Sequence, residues 1–180
     1  VTSICTNAIC DADNPCKGSK MEELDILNVT EIKQKDIAEI NAKHLLWLSD
    51  NMKGERAFFD KAFLYALDLS NMNFSRATFR DSHITECYMS KCNMTGANFS
   101  GSRLSTVNAR DTIFDSTNFA RAKMIDIDAS GADFANAVFS KASLANVNFA
   151  HANLANANLI LAGYDSRGYM FYAYLNSDGI

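Results

Sequence analysis

A large apolar residue, or in two places alanine, recurs at every fifth position from Phe59 to Leu159 without a break in the count. Two positions before these centres usually stands a small or compact residue, and a mostly polar residue, often Asn or Asp, stands between the two. A period of five matches neither a helix turn nor the alternation of a flat strand. The pattern therefore predicts one five-residue unit used repeatedly, with two positions facing inward and three facing outward.

A chain that turns a corner every five residues closes a square after four units, so that one coil takes 20 residues. Stacked coils would lie about 4.8 Å apart, and their backbone groups would pair with the coils above and below. Central residues one coil apart would stack in four columns. The two alanine centres, Ala109 and Ala129, fall in one column, and the bulkier Val107 and Ile127 precede them. This compensation of volume supports four units per coil.

The unit resembles the A(D/N)LXX repeat of the pentapeptide-repeat family, over residues 57–161. The resemblance implies an all-β solenoid, a right-handed quadrilateral β-helix of about five coils of 20 residues. Around it we predict a partly irregular leader at 1–35, a helical cap at 36–56 and a C-terminal capping tail at 162–180, because a bare solenoid end would expose strand edges and apolar side chains.

A helix-capping motif marks the N-terminal cap. Asp36 and Glu39 have the spacing of a capping box, and apolar residues at helical spacing follow, which predicts a helix over residues 37–49 that lies over the first coil. Phe63 and Tyr65 point outward from that coil and are the predicted docking site of the helix.

The remaining flanks give three further predictions. A short strand is predicted at 24–29, and His44, on the apolar face of the helix, is assigned a structural role. The aromatic segment 169–175 is strand-like and is predicted either to cover the last coil or to join two chains in a homodimer. The residues assigned to that oligomer contact are Tyr169, Phe171, Tyr172 and Tyr174.

Charge and composition exclude several classes of function. The net charge of −4 gives no reason to expect direct nucleic-acid binding. No apolar run approaches the roughly 20 residues of a membrane span, and no secretory leader is visible. Cys87 and Cys92 fall at small inward positions, which predicts a packing role. The sequence thus favours a cytoplasmic protein without membrane contact.

Enzymatic motifs are absent from the sequence, so no catalytic residue and no cofactor is expected. His83 and His151 fall on outer positions of different faces, without a nucleophile beside them. The segment 126–131 begins like a calcium loop but has Ala137 where the bidentate Glu should stand. The cysteines of the leader leave metal binding or a disulfide open, and they are Cys5, Cys10 and Cys16.

Acidic residues gather at one edge of the predicted coils. The second and third columns meet at an edge that carries carboxylates on adjacent coils, with Arg110 nearby. The predicted partner-binding residues are Asp111, Asp115, Asp128 and Asp133. A solvated face is the alternative reading of this edge.

The resemblance to known repeat proteins also suggests an origin and a kind of partner for this chain. Segments 44–48, 54–57 and 163–169 are similar to flanks of repeat proteins common in phages and mobile elements. The family includes rods that imitate a DNA duplex and bind DNA gyrase. This chain departs from them, because its coils carry as many basic as acidic residues and lack the inserted loops of the quinolone-resistance members.

Three functions follow from the sequence. The first is a non-catalytic interaction protein that blocks a host nucleic-acid-handling protein or defence complex. The second is a structural or assembly protein of a virion or scaffold, joined through the C-terminal tail. The third is an enzyme whose leader cysteines bind a metal.

Overall fold

A computed structural model describes residues 30–162 of the chain. The predicted strand at 24–29, the leader cysteines and the aromatic tail lie outside these residues. Six parallel strands form one sheet in the order β1 to β6, and one helix follows β1. The elements are β1 (Thr30–Ile32), α1 (Gln34–Ser49), β2 (Ala62–Tyr65), β3 (His83–Thr85), β4 (Arg103–Asn108), β5 (Lys123–Asp128) and β6 (Ser143–Asn148).

A 20-residue register runs through the whole solenoid. Leu64 pairs with Ile84 across β2 and β3, and the pairing continues at 20-residue steps to β6. Isolated parallel bridges repeat the same step on the other three sides, as between Ile113 and Asp133. The predicted parallel β-helix with four pentads per coil is confirmed, and Ala109 and Ala129 share one column because Asn108 and Asp128 pair beside them.

We number the four walls by their central residues. The first wall is centred on Leu64 and contains β2, β3 and the first halves of β4, β5 and β6. The second, third and fourth walls are centred on Leu69, Phe74 and Phe79. Each wall continues through the residues that follow its first centre at steps of 20. The fourth wall is a column of phenylalanines whose stacked rings lie 4.4–5.1 Å apart between Phe79 and Phe139. The core is therefore a continuous stack of rings and aliphatic side chains whose central residues are buried from Phe59 to Phe149.

The corners explain the composition of the outward positions. From Lys61 to Leu161, the residue two after each centre has a positive φ of 52–71°, a conformation that costs a non-glycine residue about 1–2 kcal/mol. The polar residue before the centre offsets this cost, because its side-chain oxygen accepts a hydrogen bond from the amide two residues later. Asn73, Asn93 and Asn98 all do so, at 3.0 Å.

Some of the small inward residues are polar and form hydrogen bonds inside the coil. The hydroxyls of Ser102 and Thr117 are buried and donate to main-chain carbonyls of the coil. Cys87 and Cys92 are buried as predicted for packing residues. Burial raises the pKa of the Cys92 thiol to about 11, so the group is protonated at neutral pH.

Helix α1 covers the first coil, as predicted, but its start and its docking site were predicted wrongly. It begins at Gln34 rather than at 37, and the capping box is not used, because the N-cap residue Lys33 makes no side-chain cap hydrogen bond. The Gln34 side chain instead exchanges two hydrogen bonds with the backbone of Asp68, at 2.7 and 3.0 Å. Phe63 and Tyr65 stay exposed on the first wall, where β1 pairs beside them.

His44 joins the helix to the solenoid. Its buried ring accepts a hydrogen bond from the Ala57 amide at Nδ1 (3.0 Å), and its Nε2–H donates to the Ser75 carbonyl (2.9 Å). Burial lowers the pKa of His44, and the charges of Arg56 and Arg76 lower it further against the opposing effect of the Ser75 bond. The neutral ring therefore acts as a structural bridge, as the sequence predicted.

Candidate interaction surfaces

The structure places the four predicted partner-binding aspartates around one corner of the solenoid. Asp128 and Asp133 stand before the centres of the second and third walls in one coil, and Asp111 and Asp115 lie in the coil next to it. We call these four residues the acidic corner. The two coils are in direct register, because Asn108 pairs with Asp128 and Ile113 pairs with Asp133.

Two members of the acidic corner also support the fold. Asp133 Oδ1 accepts from the Ala135 amide (3.1 Å) and from Asn153 Nδ2 (2.8 Å). Asp128 Oδ1 accepts from the Ser130 amide (3.2 Å) and from Asn148 Nδ2 (3.1 Å). An asparagine at either position would keep the side-chain oxygen, so that its charge can be removed without losing the turn.

The charge of the corner is partly compensated. Arg110 Nη1 lies 3.4 Å from Asp128 Oδ2, and both side chains are exposed enough for solvent to screen the pair. Partial burial raises the pKa of Asp128, but hydrogen bonds from Ser130 and Asn148 and the charge of Arg110 outweigh it, so that the pKa lies below its usual value. The carboxylate is therefore ionised at neutral pH.

Asp111 and Asp115 have different surroundings. Asp115 accepts a hydrogen bond from Asn136 Nδ2 at 2.9 Å in the next coil. Asp111 has a φ of 54°, and a Cβ added to Gly131 would meet its carboxylate oxygen at 2.4 Å. Three of the four carboxylates of the acidic corner, those of Asp115, Asp128 and Asp133, are therefore held in place by hydrogen bonds.

A second surface was predicted only in part. Counted by column, the sequence makes the face from Phe79 to Leu159 weakly basic, with Arg80, Arg121 and Lys141 against Asp81, but it does not add the cations of the first wall. In three successive coils, the fourth and first walls take residues 98–105, 118–125 and 138–145, which contain no Asp or Glu. The remaining residues of these three coils, 106–117, 126–137 and 146–157, contain five aspartates and one arginine. The cations of the first group, which we call the basic wall, are Arg103, Arg121, Lys123 and Lys141.

Within residues 30–162, no three His, Cys, Asp or Glu side chains come together as a metal-binding group. A cleft between α1 and the first coil is lined by Asp36, Glu39, Ile40, Lys43, Glu55, Arg56, Ala57 and Phe58. Its Lys43 is paired with Glu39 at 3.1 Å and with Glu55 at 3.9 Å.

Across residues 30–162, the only helix is too short and too polar to cross a membrane.

The fold defines a parallel β-solenoid protein with a helical cap. Family models described as pentapeptide repeats (8 copies) match residues 59–96, 72–108, 92–128 and 130–162. These matches together cover more than half of the chain, and the protein belongs to the pentapeptide-repeat family. A comparison with curated proteins finds no significant match.

Solved structures of other proteins are similar to this chain at low sequence identity, and the first of them shows the same fold. The pentapeptide-repeat protein Rfr23 from the cyanobacterium Cyanothece 51142 is similar with a TM-score of 0.51 at 12% identity, over 69% of this chain and 95% of that one. HetL, a pentapeptide-repeat protein involved in heterocyst differentiation regulation in Nostoc sp. strain PCC 7120, has a TM-score of 0.45 at 22% identity. The match covers 64% of this chain and 58% of HetL. QnrB1, a plasmid-mediated fluoroquinolone resistance protein, has a TM-score of 0.30 at 18% identity. The match covers 66% of this chain and 71% of QnrB1.

Proposed function

We propose that this protein is a non-catalytic interaction module that presents a rigid face of its β-helix to a partner protein. The observation that carries the proposal is the fixed 20-residue register. It holds the outward side chains in columns, and successive residues of one column lie about 4.8 Å apart. Such a surface needs no ordering when it binds, so that little conformational entropy is lost on association.

The acidic corner is the face that we assign to the partner. Its carboxylates lie on adjacent coils, and several are held by hydrogen bonds from neighbouring asparagines. A pre-ordered array of negative charge is complementary to a cationic surface and speeds encounter with it.

A cationic groove that normally holds nucleic acid would meet these requirements. The proposed partner is therefore a host protein that handles nucleic acid or belongs to a defence complex, and the protein would inhibit it by occupying the groove as a DNA mimic does. A phage or mobile-element origin and a cytoplasmic location are part of the same proposal, and they rest on the flanking motifs and the composition.

Removing the charge of the acidic corner is expected to abolish partner binding while leaving the fold intact. The test variant is Asp111→Asn/Asp115→Asn/Asp128→Asn/Asp133→Asn. Quantitative affinity capture from host lysate should recover at least tenfold less of the partner than wild type does, because each removed carboxylate loses a contact with a cationic partner. Circular dichroism should show unchanged unfolding within about 0.5 kcal/mol, apart from any loss of the Arg110 pair.

A matched control removes four charges from the helical cap instead: Asp36→Asn, Glu39→Gln, Asp50→Asn and Glu55→Gln. This variant should capture as much partner as wild type. Equal recovery with both variants, or equal loss with both, would show that the acidic corner is not the contact.

The assembly function is supported by a different feature. At the C-terminal end of the described coils, Leu159, Ile160 and Leu161 expose 43%, 67% and 56% of their surface. Such an apolar end could join two chains with help from Tyr169, Phe171, Tyr172 and Tyr174 of the tail. Light scattering separates the two functions, since a monomer with the tail intact would argue against assembly.

A further inference from the structure

The basic wall places like charges side by side. Arg103 and Lys123 are register partners on the adjacent parallel strands β4 and β5, so their backbones lie about 4.8 Å apart. Arg121 and Lys141 occupy the neighbouring corner column, again one coil apart. Like charges directly opposite each other on a sheet are destabilising, which makes the grouping costly for the fold alone.

No protein group described in the structure compensates these four cations. Within residues 30–162, their side chains take part in no hydrogen bond and no ion pair, and all four residues are exposed. By contrast, Arg80 is bonded to Asp60 at 2.6 Å, and Arg110 lies beside Asp128. Among the described coils, Lys91 on the opposite side is also unpaired, but only on the basic wall do unpaired cations stand in adjacent coils.

The four cations of the basic wall stand on a flat surface among small side chains. The outward residues next to the four cations in the same coils include Ser100, Ser105, Ala120, Ser140 and Ser143. No helix or loop rises among them, since β4, β5 and β6 continue through this face. An extended polymer could therefore approach the backbone closely, but nothing on this wall could enter the groove of a duplex.

An exposed aromatic pair lies on the same wall. The rings of Phe63 and Tyr65 are 6.1 Å apart and parallel within 2°, and they are 36% and 46% exposed. Phe63 stands in the column that continues through His83 to Arg103 and Lys123. Three coil spacings, about 14 Å, separate Phe63 from Lys123.

We propose that the basic wall binds the sugar–phosphate backbone of single-stranded nucleic acid, with bases stacking on Phe63 and Tyr65. Cations that follow the backbone and aromatic rings that receive bases are the two components of single-strand binding surfaces. Serine hydroxyls beside the cations add further phosphate donors. This surface is separate from the acidic corner, and binding here does not depend on the function proposed for that corner.

The distribution of charge fixes how the strand would lie. Asp81 and Glu86 flank the first wall one coil below Arg103, and the Tyr65 hydroxyl is hydrogen-bonded to Glu86, which raises the pKa of Tyr65 through the charge of that carboxylate. Asp126 stands in the same corner column as Glu86, at the edge of the first wall. The four aspartates of the acidic corner, on the opposite side, repel phosphate. A strand is thus confined to the basic wall, although the net charge of the whole chain is −4.

Fluorescence anisotropy with short labelled oligothymidylate and oligouridylate tests the proposal on the full chain. For four phosphate contacts, the slope of log K against log salt should be about −2.8. The variant Arg121→Gln/Lys123→Gln should reduce the slope to about −1.4 and weaken binding at least tenfold at low salt. Phe63→Ala/Tyr65→Ala should weaken binding about fivefold or more and leave the salt slope unchanged.

The matched control is Lys91→Gln/Arg110→Gln, which makes the same change of net charge on the opposite side of the rod. It should bind at least as tightly as wild type. Three results would overturn the proposal: no binding of either oligonucleotide at low salt, equal loss in the two charge variants, or competition by polyglutamate as effective as competition by unlabelled oligonucleotide. The last result would assign the wall to an acidic protein.

Discussion

Truncation of Phe119 to alanine is expected to lower the free energy of unfolding by about 3–5 kcal/mol. The side chain is fully buried, and its ring stacks on Phe99 and Phe139, both at 5.1 Å. Phe114 packs edge-on against it at 5.3 Å. Because each coil of a solenoid is stabilised mainly by its neighbours, a cavity in mid-stack weakens both adjoining interfaces. Urea unfolding followed by circular dichroism measures the loss.

The control for this variant is Phe58→Ala. Phe58 is the same residue type and stands just before the first centre of the same wall, but it is 65% exposed. Its truncation should change the free energy of unfolding by no more than about 0.5 kcal/mol. If the two variants lost similar stability, the phenylalanine column would not be the core of the solenoid.

Replacement of Gly54 by alanine is expected to destabilise the protein by about 1–3 kcal/mol more than the same replacement at Gly96. Both glycines have a positive φ, 69° and 64°, so both variants bear the cost of that conformation. Only at Gly54 would the new methyl group collide with backbone, since it would lie 2.2 Å from the Lys43 carbonyl oxygen. At Gly96 the nearest atom is Arg76 Cγ at 3.7 Å.

Two readouts check the Gly54 result. Urea unfolding gives the difference in stability between the variants. Fluorescence of Trp47 reports on the helical cap, because Trp47 stacks on His44 with ring centroids 5.4 Å apart. Equal costs at the two glycines, with unchanged Trp47 emission, would contradict the described approach of the turn to the helix.

The coil architecture could be predicted because the inward residues repeat with a fixed period. The columns through Leu64 and Phe79 follow from spacing alone, and so does the shared column of Ala109 and Ala129. This holds because each inward side chain meets only residues of its own coil and of the neighbouring coils above and below it.

The helical cap was predicted less well, because tertiary contacts decide its bounds. The strand β1 pairs with the first wall, and Gln34 then binds the backbone of Asp68, which starts the helix before the capping motif. Neither contact leaves a local sequence signal. The exposure of Phe63 and Tyr65 was missed for the same reason, since it depends on where the helix lies.

The two charged surfaces differ in how far the sequence reveals them. The acidic corner could be predicted from the register, since Asp111, Asp115, Asp128 and Asp133 fall on adjacent coils. The basic wall combines residues of the first wall, such as Arg103, with corner residues such as Lys141, and their lack of partners is visible only in three dimensions. Counting by column reveals only the weakly basic fourth wall, and the net charge of the whole chain does not reveal the rest, because cations and carboxylates cancel in the sum.

Every surface assignment depends on a coil of 20 residues, and disulfide cross-linking tests this most directly. In a background with Cys5, Cys10 and Cys16 replaced by serine, oxidation of Ile113→Cys/Asp133→Cys should give a rapid intramolecular disulfide. The two positions are register partners, and the spacing of about 4.8 Å between neighbouring strands lies within the Cα–Cα range of disulfides. The pair Ile113→Cys/Val138→Cys, 25 residues apart, should stay reduced. Cross-linking of the second pair instead of the first would contradict the register, and with it both charged surfaces.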